Sequence, residues 1–317
     1  MIRSARLASL LLLLAATSST AQLPTIRGYY QNVPLWSDSA AFTNGGLSDF
    51  SRLRFMTEPS IGRFSVQIAY EQFLSLSQRP RQALNAALGS LLPSGGEWLD
   101  LQWMIKETDH VTWGHRFDRL NIRWQPNQLL DVTVGRQAVS WATTLLLTPA
   151  DPFSPFNPSD PFRKYRAGVD AARVQVYTGP LTDFDIVARP TKNNTLSGTA
   201  AVEEIEELTV LGRGRTVWNT WEVSGWLGMI YDEPGMAVGA AGSVGAFALR
   251  GEATLREEED DIVLRATVDI DRLFALLGRD LYVVLEYQHD GFGASSPDQY
   301  TDIVASAPFA RGELQVL

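Results

Sequence analysis

His110, His115 and His289 are the only imidazoles in the chain, and there is no cysteine. A hydrolase needs a Ser or Asp with a His base within hydrogen-bond reach. His110 and His115 open an alternating segment after a long polar stretch and His289 closes another, so no nucleophile–base constellation is visible. Lack of cysteine removes disulfides, thiolate–zinc sites, Cys nucleophiles and Cys-ligated clusters. The glycines from Gly235 to Gly251 are not followed by the Gly-Lys-Ser/Thr of a phosphate loop. The chain is therefore not read as an enzyme, and no catalytic residue, cofactor or metal site is expected.

What the sequence does supply is charge, set at alternate positions of apolar segments. Glu71, Arg119, Arg123, Arg173, Arg250, Glu252, Arg265 and Glu286 each have apolar neighbours of the opposite parity. Two more acids, Asp151 and Asp160, stand in a stretch where Pro149, Pro152, Pro155, Pro158 and Pro161 recur every third residue. Proline lacks a backbone donor and fixes φ, so this stretch is a stiff loop of polyproline II character, not a ladder strand. Such residues on one continuous face could line an aqueous path, with the stiff loop held across it.

The segments that must carry these charges have the period of a strand. Phe64, Val66, Ile68 and Tyr70 share one face, and Arg250, Glu252, Thr254 and Arg256 another. Strands are expected at 26–36, 50–57, 62–73, 113–125, 129–141, 168–178, 182–190, 205–213, 218–232, 236–243, 246–256, 262–271, 280–289 and 310–317. The gaps between them run short and long in turn, short at 58–61, 126–128, 179–181 and 214–217, long at 37–49, 74–112, 142–167, 191–204 and 290–309. Two gaps on the long side, 233–235 and 257–261, are short exceptions. Tyr and Trp cluster at strand ends, where a ring with one wet end suits a membrane boundary.

The first residues point to export. Arg3 and Arg6 precede an apolar block, Leu7 to Ala16, and Ser19 and Ala21 offer small residues for a cut after Ala21. Residues 1–21 are read as a signal peptide and residues 22–317 as the mature chain. Beyond the leader no stretch is long and apolar enough for a spanning helix. The net charge of −9, from 27 Lys+Arg against 36 Asp+Glu, excludes a nucleic-acid partner, which needs a basic face. A hydrophobic content of 45% excludes a disordered chain.

The expected fold is all-β, an antiparallel meander transmembrane β-barrel in the outer membrane, with short periplasmic turns and longer external loops. About fourteen strands are visible, and the alternating pattern is still running at Leu317, so the barrel is expected to be incomplete at its C-terminus. A soluble β-sandwich also alternates, but it does not explain gap lengths that alternate. Val66, Ile68, Ile122, Trp124, Val132, Val134, Val174, Leu249, Leu264, Val268, Val283 and Leu285 should face lipid. A short amphipathic loop helix is expected around Leu84, Leu88, Leu91 and Leu92. The acidic runs Glu203 to Glu207 and Glu257 to Asp261 read as solvated external loops that divalent cations could bridge to lipopolysaccharide.

The run Gly135-Arg136-Gln137-Ala138-Val139-Ser140-Trp141, then Pro149 to Pro161, then Arg166 to Arg173 resembles a porin-like family of Gram-negative outer-membrane proteins, many of them uncharacterised. Gly28 to Asn32, Leu285-Glu286-Tyr287, Gly291-Phe292-Gly293 and Arg311 to Leu314 are also similar. The resemblance covers most of the mature chain. It implies a β-barrel and at most a channel, with no catalytic residue and no defined substrate.

The function expected from these readings is passive passage of small hydrophilic solutes, with outer-membrane lipid and lipopolysaccharide as partners. The alternative is a barrel with a structural, adhesive or assembly role. In the channel reading, loop 142–167 folds inward, and Asp151 and Asp160 oppose Arg119, Arg123 and Arg173 across a constriction. Opposed charges would set up a transverse field, and the excess of Arg would give a slight anion preference.

Overall fold

The structure, a computed structural model, describes residues 24–40, 43–78, 96–153, 166–197, 201–258, 261–293 and 296. The leader, the helix expected at Leu84 to Leu92, Asp160 and the strand expected at 310–317 lie outside the described residues.

Among the described residues fifteen strands follow in chain order. They are β1 (Arg27–Ala40), β2 (Thr43–Thr57), β3 (Ser60–Ile61), β4 (Phe64–Ser77), β5 (Gln102–Glu107), β6 (Val111–Trp124), β7 (Leu130–Gln137) and β8 (Val169–Gly179). Then come β9 (Thr182–Ser197), β10 (Ala201–Trp218), β11 (Trp221–Ile230), β12 (Glu233–Val244), β13 (Phe247–Glu258), β14 (Asp261–Leu276) and β15 (Arg279–Asp290). All belong to one antiparallel sheet in which each long strand pairs with its neighbour in sequence. The short β3 pairs with β4, and β5 pairs with β6. Among the described residues no pairing joins β1 to β15.

Several strands are longer than the apolar alternation indicates. The expected long gaps at 37–49 and 191–204 shrink to residues 41–42 and 198–200, because β1, β2, β9 and β10 run on as polar hairpins. The acidic run from Glu203 to Glu207 therefore lies in β10 and not in a loop. A turn expected at 214–217 is found at Asn219-Thr220 instead. Gly214 stays in the ladder opposite Phe184 and Gly225, while Asn219 takes a φ of 60°, which asparagine tolerates. Likewise β14 extends to Leu276 and turns through Leu277 and Gly278, at φ 51° and 73°. The loop expected at 74–112 contains β5, and the strand expected at 129–141 leaves the sheet after Gln137. Since β7 is short, it pairs with only Leu120 to Trp124 of β6, and β5 takes the edge from Thr112 to Arg116.

Register gives the two faces opposite characters. On one face Val66, Ile122, Val134 and Ala172 are successive ladder partners, as are Leu255 with Leu264 and Val268 with Tyr287. These side chains are open to the surroundings: Ile122 is 57% exposed, Leu227 70%, Val268 60% and Leu285 66%. Aromatic contacts band the same face, with Phe64 stacked on Trp124 at 6.5 Å and Trp103 meeting His115 at 5.2 Å and Phe117 at 6.1 Å. The other face buries charge: Arg54, Glu71, Arg119, Asp185, Glu252, Glu258, Arg265 and Asp269 are all buried.

A bulge in β6 concentrates that charge. Opposite Ala69 and Tyr70 of β4 the register shifts by one residue, so Asp118 and Arg119 both turn to the charged face. A bulge places two residues against one and re-aims a side chain in this way.

Candidate functional site

The charged face is organised as ion pairs, most of them between neighbouring strands. Arg54 bridges Glu71 and Asp118; Arg116 holds the other oxygen of Glu71 at 2.8 Å, and Arg119 holds Asp118 at 2.8 Å. Arg123 pairs with Asp131, Arg173 with Asp185, Arg215 with Asp183, and Arg250 with both Asp269 and Asp271. Arg256 and Arg265 share Glu258, and Arg265 also reaches Asp290 at 2.9 Å. Cross-strand partners stand about 5 Å apart at Cβ, so a guanidinium finds a neighbouring carboxylate before it can reach across a lumen.

That geometry corrects one expectation. Asp151 does not oppose Arg119, Arg123 or Arg173. It pairs with Arg166 at the far end of its own loop and accepts a hydrogen bond from Ser140 at 2.8 Å. Arg119 is turned to Asp118 and to the Arg166 carbonyl, at 2.6 Å. A second correction concerns the run from Glu257 to Asp261: Glu258 is not a solvated loop acid but a buried partner of Arg265.

The segment after β7 lies against the charged face. Trp141 donates its indole N–H to Asp185 of β9 at 3.0 Å. The N–H groups of Thr143 (2.7 Å), Thr144 (3.1 Å) and Ala150 (2.8 Å) all donate to the Glu252 carboxylate of β13. Those of Leu145, Leu146 and Leu147 donate to Glu286 of β15. Trp226 of β11 returns a bond to the Ala150 carbonyl at 2.8 Å. One short segment, residues 141–150, thus bonds β9, β11, β13 and β15 on the same face. That face buries its side chains while the opposite face leaves large apolar side chains open. The sheet is therefore curled, with the charged face concave, and residues 141–150 cross it.

The concave face also holds an apolar patch that strict alternation conceals. Val139, Trp141, Phe153, Val187, Leu211, Trp226, Ile230 and Tyr231 form one buried cluster, in which Trp141 and Phe153 meet edge-to-face at 4.8 Å. The inward segment packs on this patch from β8 to β12. A signal for it exists in the sequence: Ile186-Val187-Ala188, Val210-Leu211 and Trp226-Leu227 are apolar at both parities. Two arginines border the patch. Arg213 lies 5.8 Å from the Trp141 ring and Arg189 6.0 Å from that of Tyr231, and neither has a carboxylate at ion-pair distance among the described residues.

A further constellation went unread at the level of sequence. Arg136, at the end of β7, is 1% exposed. It binds Asp170 through Nε (2.8 Å) and Nη2 (2.7 Å), Glu97 through Nη1 (2.9 Å), and the Leu99 carbonyl (2.7 Å). Asp170 in turn accepts the Trp98 and Leu99 N–H groups, both at 2.9 Å. Residues 97–99 are thus clasped over the β7–β8 end. Burial pushes the Glu97 carboxyl above its usual range, against the pull of Arg136. Gly135 beside it has φ 116°, and a Cβ there would meet the Leu120 carbonyl at 2.4 Å, so the position admits only glycine.

Neither a family profile nor a curated protein sequence matches the chain. Among solved structures it is similar to OmpF of Salmonella typhi in complex with daunomycin, at 9% identity and a TM-score of 0.44, over 84% of this chain and 78% of that one. It is similar to OpdK of Pseudomonas aeruginosa with vanillate, at 11% identity and 0.45, over 83% of this chain and 64% of OpdK. A BenF-like porin from Pseudomonas fluorescens is similar at 12% identity and 0.45, over 84% and 66% of the two chains.

Proposed function

We propose that this chain forms the wall of an outer-membrane channel for small hydrophilic solutes. The observation that carries the reading is the inversion of the sheet. A curled sheet in water turns its apolar face inward. Here the convex face exposes Ile122, Val134, Ile186, Leu227, Val238, Val268 and Leu285, while the concave face carries the ion pairs. Only an apolar surrounding makes the convex face favourable, and an antiparallel meander is the sheet form that lipid accepts once its edges are paired into a closed barrel.

Glu71, Arg119, Arg123, Arg173, Arg250 and Arg265 line the concave wall in this reading, with Asp151 on the inward segment. Their pairing favours a path that admits polar solutes without strong charge discrimination. The slight anion preference rests on Arg213, half-buried and without a carboxylate at ion-pair distance among the described residues, more than on the paired arginines. Lipid and lipopolysaccharide surround the aromatic band. The test is single-channel recording of the full-length protein in planar bilayers, where discrete conductance steps are expected. Absence of any conductance from correctly folded protein overturns the channel reading. The structural or assembly role then takes its place, and the inward segment favours it in that case because it packs a hydrophobic cluster across the interior.

A further inference from the structure

Of the charged residues that the sequence marks as candidate lining, two differ from the rest. Glu252 and Glu286 have no cationic partner at ion-pair distance among the described residues, whereas every concave-face arginine in the expected set is paired. Their oxygens are met by six backbone N–H groups, from Thr143, Thr144, Leu145, Leu146, Leu147 and Ala150. Three consecutive N–H groups at 145–147 converge on one carboxylate, the arrangement by which a backbone concavity holds an anion. Charge-assisted bonds of this kind are roughly twice as strong as neutral ones. No side chain of residues 143–147 needs to take part, which explains why three leucines and two threonines, without charge, can be tied to a polar wall.

We propose that Glu252 and Glu286 are positioning residues which fix the bore of the channel by fastening residues 143–150 across it, and are not groups that select solutes by charge. The inference rests on the channel reading for its consequence, the bore, but not for its mechanism, the fastening. A second, steric lever reaches the same segment. A Cβ on Gly239 of β12 would stand 2.4 Å from Thr143 Oγ1, so β12 and the segment meet with no space for a methyl group. Pushing at Gly239 and unfastening at Glu252 should thus have the same effect.

The test compares Glu252→Gln, Glu286→Gln and the double variant with Glu252→Asp and with Gly239→Ala. Amide hydrogen exchange of residues 143–150 in the folded, heat-modifiable protein is the first readout. Exchange should accelerate at least tenfold in either Gln variant and further in the double variant, with Glu252→Asp closer to the wild type and Gly239→Ala accelerated despite unchanged charge. The second readout is single-channel conductance, which should rise by about half or more in the double variant with more open-channel noise. Unchanged exchange in the double variant overturns the proposal, as does a shift of reversal potential with no change in exchange. If the wild type does not conduct, the channel reading fails, while the exchange experiment still decides the fastening.

Discussion

Asp185 joins an arginine of the charged face to a side chain of the inward segment, and its removal should register in two independent measurements. Its carboxylate is 2% exposed, takes Arg173 Nε at 3.0 Å, and takes the Trp141 indole N–H at 3.0 Å. Asp185→Asn keeps one acceptor oxygen and loses the charge. A hydrogen bond to a charged group contributes about 1.5–3 kcal/mol, and breaking a buried pair costs about 3–5. Arg173 has 18% of its side chain open to solvent, so it recovers part of that by hydration. A loss of about 2–3 kcal/mol in urea unfolding, followed by tryptophan fluorescence, is expected. The freed guanidinium also leaves one uncompensated positive charge on the wall. At about 4 Å in water such a charge attracts an anion by about 1 kcal/mol, roughly a fivefold local enrichment of chloride. The reversal potential in a potassium chloride gradient should move toward chloride, more at 10 mM than at 1 M salt because of screening. Arg173→Gln should move it the other way. Conducting channels of both variants with an unchanged reversal potential would refute the placement of this pair on the permeation path.

Other expectations follow from single positions. Leu277 is 96% exposed at φ 51°, a conformation that costs a leucine about 1 kcal/mol, so Leu277→Asn or Leu277→Gly should raise the unfolding midpoint with conductance unchanged. Val268, 60% exposed on the convex face, should tolerate Leu but lose about 2–4 kcal/mol of folding free energy in lipid vesicles as Arg. Glu97 is expected to make the clasp over β7–β8 pH-sensitive. Its carboxyl is held above the usual range, so the folded form binds its proton more tightly than the unfolded one. The clasp then weakens as pH rises from the ordinary glutamate range through the raised value, and the protection of the Trp98 and Leu99 amides, relative to their intrinsic base-catalysed exchange, should fall over that window in the wild type but not in Glu97→Gln.

How much of this was legible in the sequence follows from what each signal depends on. Strand period and facing were legible wherever one face meets apolar surroundings, as in Val66, Ile122 and Val134. The signal failed where strands continue with polar residues on both faces, as in Glu203 to Glu207, because no partition of apolar side chains remains to mark the period. The turn position failed at Asn219, a non-glycine at positive φ, while glycines in the ladder drew the turn to 214–217. Pairing on the concave face was not legible, since the partner of Arg173 depends on register between β8 and β9, and a shift of one residue exchanges the faces.

The candidate site shows the same limit more sharply. Glu71 and Glu252 are indistinguishable in sequence, each an acid at an inward position of an alternating strand. In the fold Glu71 is neutralised by Arg54 and Arg116, and Glu252 by three amides of a loop about a hundred residues earlier. The first is a wall charge already cancelled; the second is a fastening. A buried carboxylate without a counter-cation is costly unless donors converge on it. The loop backbone supplies those donors and carries no side-chain signature, so composition cannot announce it. In such a sheet the acids left to backbone donors are therefore those with no arginine directly opposite on a neighbouring strand, as Glu252 stands opposite Gly239 and Thr267. Glu286 meets that criterion as Glu252 does, its cross-strand partner on β14 being Asp269.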